Sequence, residues 1–219
     1  MMIYLSHFLS EETPLYGGTG SITFRPENTI AKGASSNTCR YSFSNHSGTH
    51  IDFPLHFSNN GKSLNHYQPS DWIFSNVYVI SIPVEMNQII GKQHIRIEEI
   101  PENTDLLLLV TGFGKFRKDE IYWKNNPGLA SSLAGAMKER CQNLRAIGFD
   151  FISLSSFQNR RLGRIAHNEF LINSDILIIE DMKLDDIGNH AITRCIALPL
   201  QVENADGGPI SVIAELSND

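Results

Sequence analysis

Five apolar runs rich in branched aliphatic side chains predict buried β-strands along the chain. Polar segments that contain glycine or proline separate these runs and predict the loops between them. The runs cover residues 76–83, 105–111, 145–154, 175–180 and 192–202. Together they predict one sizeable sheet.

A helical periodicity appears between two of these runs, after Pro127 and Gly128. Apolar side chains recur there every three or four positions, which predicts an amphipathic helix within residues 129–144. The apolar stripe consists of Leu129, Leu133, Met137, Cys141 and Leu144. Because this helix lies between the runs at 106–111 and 146–154, the three segments predict a β-α-β unit.

Residues 22–56 carry few helix signals and predict antiparallel or irregular β structure. With the β-α-β unit, this order of elements predicts an α/β (mixed α+β) fold rather than an all-helical protein or a pure sandwich. The chain has 219 residues, 41% of them apolar, which suffices for one substantial core but not for two full domains. We therefore expect a single domain over residues 1–219.

Charge and hydropathy exclude several classes of protein. The 18 Lys and Arg residues against 24 Asp and Glu leave a net charge of −6, and no basic cluster stands out that could neutralise a row of phosphates, so nucleic acid is not an expected partner. The apolar runs are far shorter than the roughly 20 residues that span a bilayer. The first residues lack the basic region and cleavage site of a secretory signal, and we expect a cytoplasmic protein acting on a small molecule.

The three cysteines are widely spaced and odd in number. This pattern fits neither a disulfide framework nor a CxxC metal or redox site. We expect Cys39, Cys141 and Cys195 to be reduced and mostly buried.

Histidine and aspartate cluster in the segment NHSGTHIDFPLHF, residues 45–57. Three of the eight histidines lie here, His46, His50 and His56, together with Asp52. Imidazole and carboxylate are the side chains that hold Zn²⁺ or Mn²⁺ near neutral pH. A single histidine is more often a hydrogen-bonded core or surface residue. We expect that role for four histidines that lie outside the cluster, namely His7, His66, His94 and His190. The cluster therefore predicts a metal site.

The spacing within the cluster adds a geometric prediction. The four residues differ by even numbers and would share one face of an extended strand, whereas Gly48, the β-branched residues and Pro54 disfavour a helix. Four residues of strand span about 13 Å, too far for His46 and His50 to meet on one ion. We therefore predict a bulge or turn at Gly48 that brings His46 back towards His50.

The segment HSGTHIDFPLHF resembles, position for position, the His-x-Gly-Thr-His-x-Asp-x-Pro-x-His signature of the cyclase family of metal-dependent hydrolases, which includes bacterial kynurenine formamidases. Shorter segments follow in the family's order, and the resemblance covers nearly the whole chain. They are LSHFLSEETPLYGG, LLLLVTGFGKF, NPGL, IGFDFISL, AHNEFLINSDILIIEDMKLDDI and ALPLQVENADGGP. The resemblance implies a barrel-like mixed sheet with flanking helices, and a homodimer or homotetramer.

The resemblance also implies an active site with one or two metal ions, commonly Zn²⁺ and in some relatives Mn²⁺. His46 and His50 match ligands of the first ion. Asp52 matches a carboxylate that two ions can share, and His56 matches the catalytic acid/base.

A second region completes the implied site. His167 in RIAHNEF matches a ligand of the second ion, and Glu180 in ILIIEDM matches a carboxylate that bridges both. Nearby carboxylates offer alternatives to Glu180, namely Asp175, Asp181 and Glu169. Tyr16 in PLYGG matches an aromatic residue that lines the substrate pocket, although a packing role fits it nearly as well. Where many relatives carry Pro-Val-Arg, this chain has Pro209-Ile210-Ser211, so a basic group is absent there.

The implied reaction is hydrolysis of an amide, formamide or lactone by a metal-activated water, with His56 as general acid/base. N-formylkynurenine is the best-known substrate in the family. One alternative is a binding or regulatory relative that holds the metal without turnover, and another is a cupin-like barrel with iron chemistry. A serine nucleophile of the α/β-hydrolase type is not expected, because the chain has no Gly-x-Ser-x-Gly segment.

Overall fold

The predicted strands occur in a computed structural model that describes residues 1–217. In chain order the strands are β1 (Met2–Tyr4), β2 (Thr23–Asn28), β3 (Thr38–Ser42), β4 (His50–Asp52), β5 (Ile73–Phe74), β6 (Val77–Ser81), β7 (Ile89–Ile90), β8 (Leu106–Val110), β9 (Gly128–Leu129), β10 (Ala146–Phe149), β11 (Leu177–Glu180), β12 (Ile192–Pro199) and β13 (Gly207–Leu216). The α-helices are α1 (Ile121–Lys124), α2 (Ser132–Arg140) and α3 (Arg160–Asn168). The chain therefore has the mixed composition that the pattern predicts.

One large sheet organises the molecule, with strand order β5-β12-β13-β4-β11-β10-β8-β6 and β1 added beside β13. Strands β6, β8, β10 and β11 run parallel, whereas β4 and the strands beyond it pair antiparallel. The two ends of the sheet approach each other, since β6 contacts β12. The result is a nearly closed, barrel-like sheet, which confirms the predicted fold class.

The β-α-β unit is confirmed, with shorter elements than predicted. Strands β8 and β10 pair in parallel and α2 connects them, burying Leu133 and Met137. The helix covers only nine residues, because Leu129 belongs to β9 instead. Strand β10 ends at Phe149, since the following backbone leaves the sheet and the Leu154 N–H donates to Glu180.

Residues 22–56 contain the expected antiparallel structure. Strands β2 and β3 form a hairpin outside the main sheet, while β4 inserts between β11 and β13. Strand β13 lies outside the five predicted runs, because Gly207, Gly208 and Pro209 break its apolar pattern at the start. Its ten residues nevertheless pair with β1, β4 and β12, which makes it the connection between both halves of the sheet.

The cysteines agree with the sequence analysis. Cys141 and Cys195 are buried, Cys39 is exposed, and all three are free thiols. Among the helices of residues 1–217, the structure contains none with the length and apolar character needed to cross a bilayer.

Candidate metal and catalytic site

Strand β4 carries His50 and Asp52 into the interior of the sheet, where both side chains are buried. The two residues are two positions apart on one strand and therefore face the same side. In the register between β4 and β11, His50 lies directly opposite Glu180. Its Nε2 atom is 3.4 Å from Glu180 Oε2 and 3.4 Å from Asp52 Oδ1. Strand pairing thus brings together residues that are 130 positions apart in the sequence.

The predicted turn at Gly48 is confirmed. Gly48 has a φ of +65°, a left-handed conformation that favours glycine. The turn places the His46 ring 5.2 Å from the His50 ring, centroid to centroid and nearly perpendicular. His46 Nδ1 then lies 2.8 Å from Asp52 Oδ1. All three members of the first predicted ligand group therefore meet.

Helix α3 contributes His167, which is buried at its last turn before a π-helical turn, Glu169–Asn173. His167 Nε2 lies 3.6 Å from Asp52 Oδ2 and 3.5 Å from Glu180 Oε1. Phe57 stacks on the outer face of the ring at 4.3 Å. The helix thus places a third imidazole against the same two carboxylates.

Glu180 is the carboxylate that reaches this group, and the alternatives lie elsewhere. The Leu154 N–H at 2.7 Å and the Ser153 hydroxyl at 3.2 Å donate to Glu180 Oε1. Asp175 forms an exposed ion pair with Lys62. Asp181 is buried, but it binds Arg117 and the Tyr122 hydroxyl. Glu169 lies in the π-helical turn.

The remaining histidines stand apart from these residues. His66 and His94 each accept a backbone N–H through Nδ1 and thereby stabilise a short 3-10 turn. Neither lines the cavity at β4. Their structural roles match the sequence analysis.

His56 lies at the end of a 3-10 turn, Pro54–His56, on the solvent side of the cluster. Its ring stacks on His46 with centroids 3.9 Å apart. Its Nδ1 atom is 3.1 Å from Asp206 Oδ2, and the same oxygen lies 3.1 Å from His46 Nε2. Sequence reasoning missed Asp206. The one sequence signal for it is its place before Gly207 and Gly208, in the segment ALPLQVENADGGP that resembles the family.

Two of the histidines have tautomers set by backbone carbonyls. His50 Nδ1 lies 2.8 Å from Gly48 O, and His167 Nδ1 lies 2.9 Å from Gly163 O. A carbonyl only accepts, so these Nδ1 atoms carry the proton and the neutral rings present bare Nε2 atoms to the carboxylates. Outer hydrogen bonds of this kind are typical of metal-ligating histidines.

The donor atoms fit a divalent cation. A bare nitrogen and a carboxylate oxygen repel each other unless a proton or a cation lies between them. The four Nε2-to-oxygen separations of 3.4–3.6 Å are too long for strong hydrogen bonds. They are close to the separation of about 3.3 Å between ligand atoms around a tetrahedral ion with bonds of about 2.0 Å. Two groups share Asp52 here: His46, Asp52 and His56, and His50, Asp52 and Glu180.

Charges in the site are strongly coupled. Burial lowers the pKa of His50, but the facing Asp52 and Glu180 outweigh burial and raise it well above the usual value. The pKa values of His46 and His167 are likewise raised against burial, by Asp52 and by Glu180 respectively. Burial would raise the pKa of Asp52, yet the surrounding histidines hold it well below its usual range. Protons therefore compete with a cation for this site.

His56 differs from the buried histidines, because burial dominates and lowers its pKa. The ring is therefore neutral at pH 7, and no hydrogen bond engages its Nε2 atom within residues 1–217. A neutral histidine with one free nitrogen can both accept and return a proton.

A cavity of about 160 Å³ opens above these residues. Tyr16 and Ile152 line it together with the histidines and carboxylates of the site. The Tyr16 ring packs edge-on against Phe157 at 5.6 Å, and burial raises the pKa of its phenol to about 12. Tyr16 therefore does face the cavity, and its hydroxyl stays protonated.

Comparisons with known proteins add to this geometry. Residues 3–156 match the model of the Cyclase family, described as "Putative cyclase". The chain is 30% identical over 215 residues to a kynurenine formamidase of Geobacillus thermodenitrificans, covering 95% of this chain and 94% of that protein.

Solved structures share the fold at lower sequence identity. Isatin hydrolase A from Labrenzia aggregata, bound to benzyl benzoate, superposes with a TM-score of 0.82 at 20% identity, over 100% of this chain and 94% of that one. A protein from Bacillus stearothermophilus described as a predicted metal-dependent hydrolase gives a TM-score of 0.74 at 19% identity, over 98% and 97% of the two chains.

Proposed function

The chain belongs to the Cyclase family, and from this premise we propose that it is a metal-dependent hydrolase that cleaves the C–N bond of an amide, with an N-formyl aryl amide such as N-formylkynurenine as the first candidate. The observation that carries the proposal is that three imidazoles surround Asp52 and Glu180, beside a His56 whose Nε2 atom has no hydrogen bond within residues 1–217. The kynurenine formamidase relatives support the choice of substrate class.

The ligand assignment follows the contacts. We propose that His46, His50 and Asp52 would hold one ion and that His167 would hold a second together with Asp52 and Glu180, as the family motif implies, with Zn²⁺ or Mn²⁺ as the candidate metals. A divalent ion held by these residues would lower the pKa of a bound water towards about 7 and would polarise the substrate carbonyl.

The chain's own residues move the protons. The water oxygen attacks the carbonyl carbon, and His56 Nε2 takes up the proton that the water loses. The C–N bond then breaks, and the same Nε2 atom delivers that proton to the departing nitrogen, which is a poor leaving group without it. The products are a free amine and a carboxylic acid, and the acid releases its proton to solvent to become the carboxylate. Tyr16 offers its ring to an aryl group in the cavity, and we propose it as a substrate contact.

The first experiment measures hydrolysis of N-formylkynurenine, and in parallel of isatin, by protein loaded separately with Zn²⁺ and with Mn²⁺. We expect turnover of at least the open-chain amide. Bound metal without turnover of either compound or of simple lactones would favour the alternative, a non-catalytic metal-binding relative. Selective binding of iron with neither Zn²⁺ nor Mn²⁺ retained would contradict the proposed chemistry.

The His56→Ala variant tests the acid/base role. We expect kcat to fall by about 10²–10⁴, because the leaving nitrogen then lacks its proton donor, while the metal content stays unchanged. His66→Ala is the matched control, since His66 lies outside the site. Unchanged turnover of His56→Ala would exclude the acid/base role, and loss of metal would make His56 a ligand instead.

A further inference from the structure

Asp206 joins the two outermost histidines of the site. It lies in the connection between β12 and β13, directly before Gly207. Its Oδ2 atom is 3.1 Å from His56 Nδ1 and 3.1 Å from His46 Nε2, and its Oδ1 atom accepts a hydrogen bond of 2.7 Å from the Asn45 side chain. Both oxygens of this carboxylate therefore have hydrogen-bond partners in the site or at its rim.

We propose that Asp206 is a positioning residue for the reaction, which holds the His56 ring in place and keeps its proton on Nδ1. The inference rests on the proposed function, because it assigns Asp206 a role through the acid/base His56. Neither the sequence motif nor the two groups of candidate metal ligands contains Asp206.

The chemistry of the contact sets the tautomer. An ionised carboxylate only accepts hydrogen bonds, so the His56 nitrogen that faces Asp206 carries a hydrogen. In the neutral ring the other nitrogen, Nε2, then holds the lone pair. Nε2 is also the atom that lacks a hydrogen bond within the described residues and that the proposed reaction needs as a base. Within residues 1–217, Asp206 provides the one hydrogen bond to His56 Nδ1, so its removal takes away the contact that keeps the proton there.

Backbone hydrogen bonds to the main sheet fix the position of Asp206 and so the position of its carboxylate. The Phe53 N–H donates to Asp206 O at 2.9 Å, and the next residue, Gly207, pairs with Asp52 in the register of β4 and β13. A Cβ atom on Gly207 would lie 2.4 Å from His46 Cε1. The edge of the His46 ring therefore lies close to this backbone, and His56 stacks on the same ring with centroids 3.9 Å apart.

The same geometry extends the pattern of outer hydrogen bonds. Asp206 accepts a hydrogen bond from Nε2 of His46, the ring nitrogen that does not face Asp52. In the same way, Gly48 O and Gly163 O accept hydrogen bonds from Nδ1 of His50 and His167. Only Asp206 also reaches the acid/base histidine. This difference predicts that its loss affects turnover more than metal retention.

The first test observes the tautomer directly and needs no substrate. Long-range ¹H–¹⁵N NMR of the Zn²⁺-loaded protein, at a pH where His56 is neutral, should show the Nδ1–H form in the wild type. In Asp206→Ala we expect a shift towards the Nε2–H form or a mixture. The same Nδ1–H signature in both proteins would overturn the proposal. Because this result does not depend on activity, failure to find a substrate would challenge the proposed function and leave this test intact.

The second test is kinetic and uses whichever amide the wild type hydrolyses. We expect Asp206→Ala, assayed at a saturating concentration of metal, to lower kcat by about 10- to 100-fold with KM unchanged and the site still fully loaded, because effects of 10- to 100-fold are typical of outer partners. Asp206→Asn, which keeps one oxygen acceptor, should retain more activity. Glu203→Ala removes the same charge from an exposed position in the same connection and should behave as wild type.

A double variant shows whether Asp206 acts through His56. If it does, His56→Ala and His56→Ala/Asp206→Ala should have the same kcat, because the second change removes a partner of a ring that is already absent. Additive losses would overturn the proposal. Loss of bound metal in Asp206→Ala would overturn it as well, by making Asp206 a ligand or a purely structural support of His46.

Discussion

At the scale of single residues, Asp52 is the centre of the site. Its two oxygens face three imidazoles, with separations of 2.8 Å to His46, 3.4 Å to His50 and 3.6 Å to His167. A buried carboxylate is costly unless opposite charges surround it. Histidine protons or a divalent cation can supply those charges, and Asp52 is the one carboxylate common to both candidate ligand groups.

Asp52→Asn tests this central role. The amide keeps the size of the side chain but removes its charge, so we expect metal affinity to fall by more than the roughly 100-fold typical of an outer partner. Metal content after dialysis measures the effect. Asp150→Asn is the matched control, because Asp150 is equally buried but binds Thr111 and Gly112 away from the site. Retention of a full complement of metal in Asp52→Asn would contradict the assignment.

At the scale of elements, β4 and α3 position the candidate ligands in different ways. The three residues of β4 are held on both sides by β11 and β13, so His50 and Asp52 have little freedom. Helix α3 instead approaches from outside the sheet and depends on close packing at Gly163. A Cβ atom there would lie 2.0 Å from Ser155 Oγ and 2.6 Å from Ser155 Cα, and Gly163 O accepts the His167 Nδ1 hydrogen.

Gly163→Ala should therefore displace α3 and with it His167. We expect a loss of stability of about 1–3 kcal/mol from overpacking, accompanied by weaker metal binding. Gly135→Ala is the matched control on α2, where a Cβ atom meets nothing within 4 Å, and there we expect a gain of about 0.5–1 kcal/mol. Urea unfolding and metal titration measure both effects. Equal stability and equal metal affinity of the two variants would contradict the prediction, because α3 would then accept the added methyl group without moving His167.

At the scale of the whole molecule, metal and pH act on the same buried charges. Without metal, the raised pKa values of His46, His50 and His167 mean that these rings bind protons more tightly in the folded than in the unfolded chain. Their contribution to stability is fully present below the unfolded pKa of about 6.5 and is lost as pH rises through the folded values. A bound cation replaces those protons and is favoured by higher pH.

Chelation should therefore destabilise the protein more in alkaline than in mildly acidic solution. We expect the Tm of the metal-free protein to fall between pH 6 and pH 9, and the difference in Tm between metal-loaded and metal-free protein to widen over the same range. Differential scanning calorimetry of both forms at each pH measures this, with the metal-loaded series as the control. A metal-free Tm that stays level or rises would contradict the pKa directions in the site.

The sequence alone was sufficient to predict the local features of this protein. Apolar runs located β6, β8, β10, β11 and β12, because buried strands need continuous apolar side chains. The even spacing of the histidines and the glycine between them predicted the bend at Gly48. Strand alternation and the conformational freedom of glycine are both properties of the backbone over a few residues, so the sequence is enough to predict them. The 46–56 motif also indicated the family.

The tertiary structure decided between Glu180, which the family resemblance implies, and the neighbouring carboxylates, and it alone brought Asp206 to the site. Glu180 rather than Asp175 or Asp181 faces His50 because β4 pairs with β11 in one particular register. Asp206 reaches His56 because β13 pairs with the other edge of β4. These two pairings join residues more than a hundred positions apart, and no local pattern of polar and apolar residues encodes them.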